Sequence, residues 1–427
     1  MHPFNNKNDM FIKKIILPVI ILLLGFPFIS MAQNNSSPYS VLGIGDLETS
    51  YYNRYTGMAN SSVALYDNRY INNSNAASLS DLIPRFYTFE LSGRFQHVLY
   101  TGAGVDPTNN QTSDFQVKRL NIAAKITNRW GSSLGLLPFS SASYNFSSTK
   151  SLGGSQQLAT ATYDGEGGIN QFYWANGYRI TKNTSIGVTS SILFGSLTQT
   201  ENLQSGVDPT ALVTTKSDFL HNFYFNFSLL SKLKLNKHWM SSYGITFTPR
   251  TSLISQESID VKDNLGNTIK STTTNNGYFD LPVSINAGIA VIKDDKYTFT
   301  INARNDSWSN LNYAGPGYQL VNSNRVSLGF QSANLKRNYY NQAYEKGFFQ
   351  LGLYAGNSYL KVNNEQITDF GASVGYGRNS FRSPLGWVTS LAIGRQGSQN
   401  TNILSQNYVR LTLTLSYLDF FNSNKQQ

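Results

Sequence analysis

The stretch Val409-Arg410-Leu411-Thr412-Leu413-Thr414-Leu415-Ser416-Tyr417 sets apolar side chains at every second position, with Arg, Thr and Ser between them. A period of two is the mark of a β-strand with one face toward an apolar medium and the other toward a polar one. The pattern recurs upstream. Phe89, Leu91, Gly93 and Phe95 alternate with Glu90, Ser92, Arg94 and Gln96, and Leu120, Ile122, Ala124 and Ile126 alternate with Arg119, Asn121, Ala123 and Lys125. Phe223, Phe225, Phe227 and Leu229 repeat it, as do Tyr297, Phe299, Ile301 and Ala303.

Alternation alone also fits a soluble β-sandwich, so length arbitrates. Soluble strands average ~5–6 residues, whereas a strand crossing a bilayer at ~45° needs ~9–11. These segments are long. Fourteen of them begin near residues 86, 115, 132, 169, 185, 219, 239, 277, 296, 322, 347, 366, 385 and 406. An even number returns the chain to its starting side, as single-chain bacterial barrels require. Connections alternate between short and long, as periplasmic turns and external loops do. Residues 128–131, 181–184, 235–238 and 293–296 read as turns, and 99–114, 147–168, 199–218 and 252–276 as external loops. The stretch 333–346 breaks the rule by being long on the periplasmic side, and reads either as a loose turn or as a partner contact. Trp130, Trp239, Trp308 and Trp387 fall at predicted strand ends, where amphipathic rings suit the headgroup level; Trp174 does not. The fold class is therefore all-β: a membrane-spanning, antiparallel up-and-down barrel of about 14 strands over residues 85–421, with a short periplasmic tail at 422–427.

Composition agrees. Charged residues make up 14% and aromatics 13%, which suits a wall between lipid and water. Cysteine is absent, which excludes disulfides and thiolate metal sites. At the N-terminus Lys7, Lys13 and Lys14 precede the apolar run Ile15–Ile29, and Ser30-Met31-Ala32 supplies the small residues of a cleavage site. Residues 1–32 are accordingly a signal peptide, and its interruption by Pro18, Gly25 and Pro27 speaks against a retained anchor. Export to the cell outer membrane follows. Removing three lysines and Asp9 takes the formal charge from +10 to +8. The basic residues are scattered rather than run together, so nucleic acid is not an expected partner.

Residues 33–84 lack alternation but contain Tyr39, Val41, Leu42, Ile44, Tyr51, Tyr52, Tyr55, Met58, Val63, Leu65 and Tyr66, too much apolar mass for a solvated tail. They read as a plug, or hatch, packed in the lumen. Glu90, Arg94, Arg119, Lys125, Arg304, Asp306 and Arg410 take the polar parity and so face the lumen. On the lipid face an Arg or Lys at mid-bilayer would cost ~2–4 kcal/mol. Two roles stand for them: satisfying one another and water, or gripping the plug and attracting an acidic headgroup. Pro138 lies inside the third strand, beside Phe139. Proline donates no ladder hydrogen bond, so it marks either a bulge or a side opening.

Five stretches carry a resemblance: SPYSVLGIGDL (37–47), NNSNAASLSDL (72–82), SLGLLPFSSASYNF (133–146), YDGEGGINQFYWANGYRI (163–180) and NYVRLTLTLSYLDFF (407–421). In order and spacing they resemble the Bacteroidetes branch of the long-chain fatty acid transporter family of outer-membrane proteins. That resemblance implies a fourteen-stranded barrel with an N-terminal hatch, binding a hydrophobic small molecule that leaves sideways at a kink in the third strand. The family's hatch has an Asn-Pro-Ala motif; here Asn75-Ala76-Ala77 stands in its place, without the proline's rigidity. Some relatives are instead subunits of outer-membrane protein-secretion machinery. Two functions therefore stand, passive uptake of a hydrophobic, fatty-acid-like compound and service as a non-transporting subunit of an outer-membrane assembly.

Enzyme chemistry finds little support, and no cofactor is expected. His238 has Ser241 and Ser242 nearby but no acidic neighbour in sequence. Residues 260–267 have an acidic-Gly look without the closing Glu of a calcium loop, and Asn264-Leu265-Gly266-Asn267 reads as a hairpin tip.

Overall fold

The structure, a computed structural model, describes residues 38–420 except 103, 104, 106, 107, 109, 152–157, 206–211, 316, 339, 340, 342, 381, 382 and 399–402. The expected signal peptide (1–32) and tail (422–427) lie outside the described residues.

Fourteen strands close into an antiparallel barrel. β1 (Phe86–Thr101) pairs along its whole length with β14 (Ser405–Phe420), from Phe86↔Phe420 to Thr101↔Ser405, so the sheet joins its own far edge. Between them run β2 (Gln111–Lys125), β3 (Trp130–Ser141, continuing as Tyr144–Ser151), β4 (Leu158–Arg179), β5 (Thr184–Ser205) and β6 (Leu212–Lys234). β7 (Trp239–Thr248, continuing as Thr251–Lys262) and β8 (Thr268–Leu281, continuing as Ser284–Lys293) follow. The ring is completed by β9 (Tyr297–Asp306), β10 (Ser323–Arg337), β11 (Ala343–Val362), β12 (Glu365–Arg378) and β13 (Leu385–Gly397).

Side-chain parity is that of a membrane barrel. On β14, Val409, Leu411, Leu413 and Leu415 are exposed on the outer wall while Thr412, Thr414 and Ser416 are buried inside. A wall this apolar is stable only when hydrocarbon covers it.

The ends of the strands differ from the sequence reading. β4, β5 and β6 run for 22, 22 and 23 residues, about twice the ~9–11 a crossing needs. Much of what reads as external loop is ladder, with pairs such as Ser147↔Thr162, Gln199↔Lys216 and Ser258↔Thr273. Beyond the hydrocarbon neither face must be apolar, so these Ser- and Thr-rich strands lose their period-two signal. The same correction removes the long periplasmic connection: β10 extends to Arg337 and β11 starts at Ala343, leaving only 338–342 between them. Trp130 and Trp239 begin β3 and β7, and Trp387 lies near the start of β13. Trp308 leaves the expected girdle. It follows β9 into a short 3-10 turn and is buried against Tyr359 and Phe279, so it packs inside the wall rather than at the lipid surface.

The segment 38–84 is irregular backbone with 3-10 turns at Pro38–Val41, Thr56–Met58 and Ala76–Asp81. Tyr39, Ile44, Tyr52, Tyr55, Met58, Val63, Leu65, Tyr70 and Ile71 in it are all buried. Its contacts are with inward-facing groups around the ring: Met58 against Gly329 of β10, Ala59 against Gly352 of β11, Val63 against Gly244 of β7 and Leu79 against Gly131 of β3.

Candidate functional site

The pairing of the barrel wall is interrupted beside Pro138. β3 pairs with β2 only from Lys125↔Gly131 to Leu120↔Leu136. Beyond Leu136 the two strands separate, and residues 111–119 of β2 pair with β1 alone among the described residues. On its other side β3 stays bonded to β4 through Pro138↔Asn170, then slips by a bulge to Ser140↔Ile169 and Ser141↔Gly168. The pairing that β3 loses to β2 is partly replaced from within. Asp46 and Leu47 form a two-residue antiparallel strand against Ser141 and Ser140, and the Glu48 N–H donates to the Phe139 carbonyl at 3.0 Å. Phe139 itself packs edge-on to Tyr224 at 5.6 Å. On β2, Phe115 and Val117 stand 69% and 63% exposed beside the parting.

Sequence reasoning located Pro138 and Phe139 but missed the Asp46–Leu47 strand, for two residues carry no readable period. It also missed a signal that was present. Gly167 and Gly168 are adjacent inside β4 with φ of 115° and 155°, and glycines within a strand often mark a bulge or a close backbone approach.

The triplet Asn75-Ala76-Ala77 is fully buried. Asn75 caps the Ala76–Asp81 turn by accepting from the Ala77 N–H at 3.0 Å. Its side-chain amide donates to the carbonyls of Val63 (2.7 Å) and Leu229 (3.0 Å), tying the segment to itself and to β6. The alanines touch bare backbone: a Cβ on Gly187 of β5 would lie 2.3 Å from the Ala77 nitrogen. One turn on, Asp81 pairs with Arg179 (2.5 Å) and Lys232 (2.6 Å).

The lumen charges divide into two groups. Glu90, Arg94 and Arg119 engage the N-terminal segment. Arg119 pairs with Glu90, both side chains fully buried, and donates to the carbonyls of Tyr52 (3.0 Å) and Ile71 (3.3 Å); Glu90 also accepts from the Ile71 N–H at 3.0 Å. Tyr52 has a left-handed φ of 49°, and its carbonyl also accepts from Ser92 at 2.7 Å. Arg94 lies 3.8 Å from Glu48 and 3.3 Å from Asp114. Arg304, Asp306 and Arg410 line a polar cavity of about 140 Å³ together with Arg325 and Asp369, and Arg94 and Glu48 also border it. There Arg304 binds Asp306 at 3.1 Å and Arg410 donates to Gln96 at 2.7 Å. Lys125 is half-buried and feels Arg179, Asp81 and Lys232.

Two further charged groups in the lumen escaped the parity argument. Lys118 should face lipid by alternation with Leu120, but a bulge between Val117 and Arg119 turns it inward, where it pairs with Glu48. Arg54 bonds Asp67 and reaches Glu345 of β11 at 3.0 Å.

Burial alone would raise the Glu48 carboxyl, but Lys118 and Arg94 beside it hold it down to about 2, against an ordinary 4.5. A depressed carboxyl contributes stability that is complete above pH 4.5 and is lost as pH falls toward 2. Acid should therefore loosen the segment around Glu48 in that window. Pepsin digestion in detergent should cut residues 38–84 progressively faster as pH falls through it, and Glu48→Gln should flatten the dependence; equal curves for both proteins would refute the assignment.

His238 does have an acidic partner in space, Asp294 at 2.6 Å, on an exposed turn. Neither of the serines near it in sequence joins the pair, since the Ser241 and Ser242 hydroxyls donate to the carbonyls of Leu233 and Ala64. Asp263 accepts from the Leu265 and Asn267 N–H groups, which makes 263–267 the tip between β7 and β8.

A family model described as BamG matches residues 11–426. No curated protein matches the chain. Among solved structures the fold is similar to a Pseudomonas aeruginosa FadL homologue, with 12% identity, a TM-score of 0.56, and 85% of this chain and 97% of that one covered. It is also similar to the Pseudomonas putida toluene transporter TodX (15% identity, TM-score 0.53, 89% and 100% covered). The CymD monoaromatic hydrocarbon channel is a third such structure (12% identity, TM-score 0.52, 86% and 97% covered). At these identities the likeness establishes a shared outer-membrane barrel fold.

Proposed function

Because this chain belongs to the BamG family and has the barrel fold of hydrophobic small-molecule channels, we propose that it passes a hydrophobic, fatty-acid-like compound through the outer membrane, with exit sideways between β2 and β3. The observation that supports this reading is the loss of β2–β3 pairing beyond Leu136, two residues before Pro138. In it, residues 33–84 are a hatch, Asn75-Ala76-Ala77 anchors that hatch near β5 and β6, and the Asp46–Leu47 strand is the movable bar across the parting. An alkyl chain gains ~0.8 kcal/mol per buried CH₂, so affinity needs little shape matching. The test is uptake of a labelled long-chain fatty acid by proteoliposomes. Pro138→Val restores a backbone N–H at this position and should let β3 continue against β2, cutting uptake about ten-fold, an effect of ~1.4 kcal/mol. Uptake unchanged by the substitution would dismiss this route.

A second reading is favoured by one feature of the lumen. The cavity above the N-terminal segment is small and charged rather than apolar, and the buried pairs Glu48–Lys118 and Arg54–Glu345 fix that segment to the wall. A closed barrel of this kind suits a non-transporting subunit of an outer-membrane assembly. Stoichiometric partner proteins after gentle detergent extraction, with no uptake by the isolated barrel, would establish it.

A further inference from the structure

A large concavity lies outside the lumen. It is a groove of about 1070 Å³ on the outer wall, spanning β10 to β14 and continuing over β1 to Gln111 of β2. Its sides are the exposed Val326, Leu328, Leu353, Phe370, Ile393 and Val409. Between them Ala355 and Ala372 occupy outward positions, so the surface recedes where neighbouring strands present larger side chains. The inner side of the wall is correspondingly full. Tyr354 and Tyr408 join hydroxyls at 2.5 Å, and a Cβ on Gly394 would lie 2.6 Å from both phenol oxygens. The wall is thus braced from within by two aromatic rings while its outside is hollow.

The rim of the groove has one sign of charge. Arg395 is exposed, points outward from β13, sits level with Phe370 of β12 and Asn407 of β14, and has no ion pair among the described residues. His97 of β1 is the other titratable rim group, its ring bonded to Ser113 at 2.8 Å, and no carboxylate lines the groove. An outward arginine costs ~2–4 kcal/mol at the bilayer midplane but only ~0–1 near the interface. Arg395 therefore marks headgroup level, toward the end of the barrel with the long hairpins, and the apolar hollow extends below it into the acyl layer.

We infer that this groove is a binding site for one anionic acyl lipid of the external leaflet, with its phosphate on Arg395 and its chains along Leu353, Phe370 and Ile393. A guanidinium at an interface suits phosphate by charge-assisted, bidentate hydrogen bonding, and a hollow apolar strip suits flexible chains. The inference is independent of any transport through the lumen.

The test uses the full barrel reconstituted in phosphatidylethanolamine vesicles doped with phosphatidylglycerol, then extracted in mild detergent and weighed as an intact complex. The wild-type barrel should retain one phosphatidylglycerol in preference to phosphatidylethanolamine. Arg395→Gln should lower that retention about ten-fold, the usual worth of a hydrogen bond to a charged group. Ala372→Trp should abolish it by filling the hollow. Both substitutions lie on the lipid-facing wall, and heat-modifiable migration checks that each barrel is closed. Equal retention in all three proteins, or no preference between the two headgroups, would mean ordinary annular lipid and overturn the proposal. Loss of a protein partner with Ala372→Trp, at unchanged lipid count, would also overturn it.

Discussion

Arg119→Leu is expected to destabilise the folded barrel by about 3–5 kcal/mol, the cost of leaving a buried carboxylate without its partner. The Arg119 and Glu90 side chains are both fully buried, so water cannot take over the lost interaction. The guanidinium also serves the carbonyls of Tyr52 and Ile71, so its removal undoes two contacts that fix the N-terminal segment to β2 as well as the ion pair that joins β2 to β1. Unfolding by urea in micelles should shift to lower denaturant, and trypsin should reach Arg54 and Arg69 in a barrel whose wall is still closed. Replacing both charges, as Glu90→Gln with Arg119→Met, should recover much of the loss, because no unpaired charge remains. A single variant as stable and as protease-resistant as the parent would show that the pair does not hold the segment in place.

The wall was legible because its physics is local. A strand between lipid and lumen must alternate, and Leu411, Leu413 and Leu415 against Thr412, Thr414 and Ser416 state that requirement within one strand. The inward parity of Glu90, Arg94, Arg119, Arg304, Asp306 and Arg410 followed from the same constraint; the structure brings Glu90, Arg94 and Arg119 onto the N-terminal segment, and Arg94, Arg304, Asp306 and Arg410 onto the small polar cavity.

What was not legible depends on partners distant in sequence or on single-residue slips. Lys118 reads as lipid-facing until the bulge opposite Ser92 and Gly93 is known. Its partner Glu48 lies 70 residues away in a segment with no period at all. Trp308 resembles a girdle residue by its place at a strand end, but the 3-10 turn after β9 folds it inward. The extensions of β4, β5 and β6 were hidden for the opposite reason. Outside the hydrocarbon a ladder can be polar on both faces, and nothing in the pattern separates it from a loop. Pro138 was readable as an interruption, whereas the strand that bridges it, Asp46–Leu47, is two residues long and carries no period to read.

The second large effect concerns that bridge. The chain has no cysteine, so a pair introduced at Leu47 and Ser140, which are register partners, would be the sole disulfide. Directly opposed residues of an antiparallel pair have Cα atoms ~4.5–5.5 Å apart, within the range a disulfide spans. If the bar must leave β3 for a ligand to pass, the oxidised pair locks the exit at its narrowest point. The deciding measurement is uptake of a labelled long-chain fatty acid by proteoliposomes containing the Leu47→Cys, Ser140→Cys barrel, with and without reductant. The account predicts that uptake is abolished in the oxidised protein and returns on reduction. Equal uptake in both states would contradict lateral passage past the Asp46–Leu47 strand, and absence of uptake in both, with the parent barrel equally inert, would contradict transport altogether.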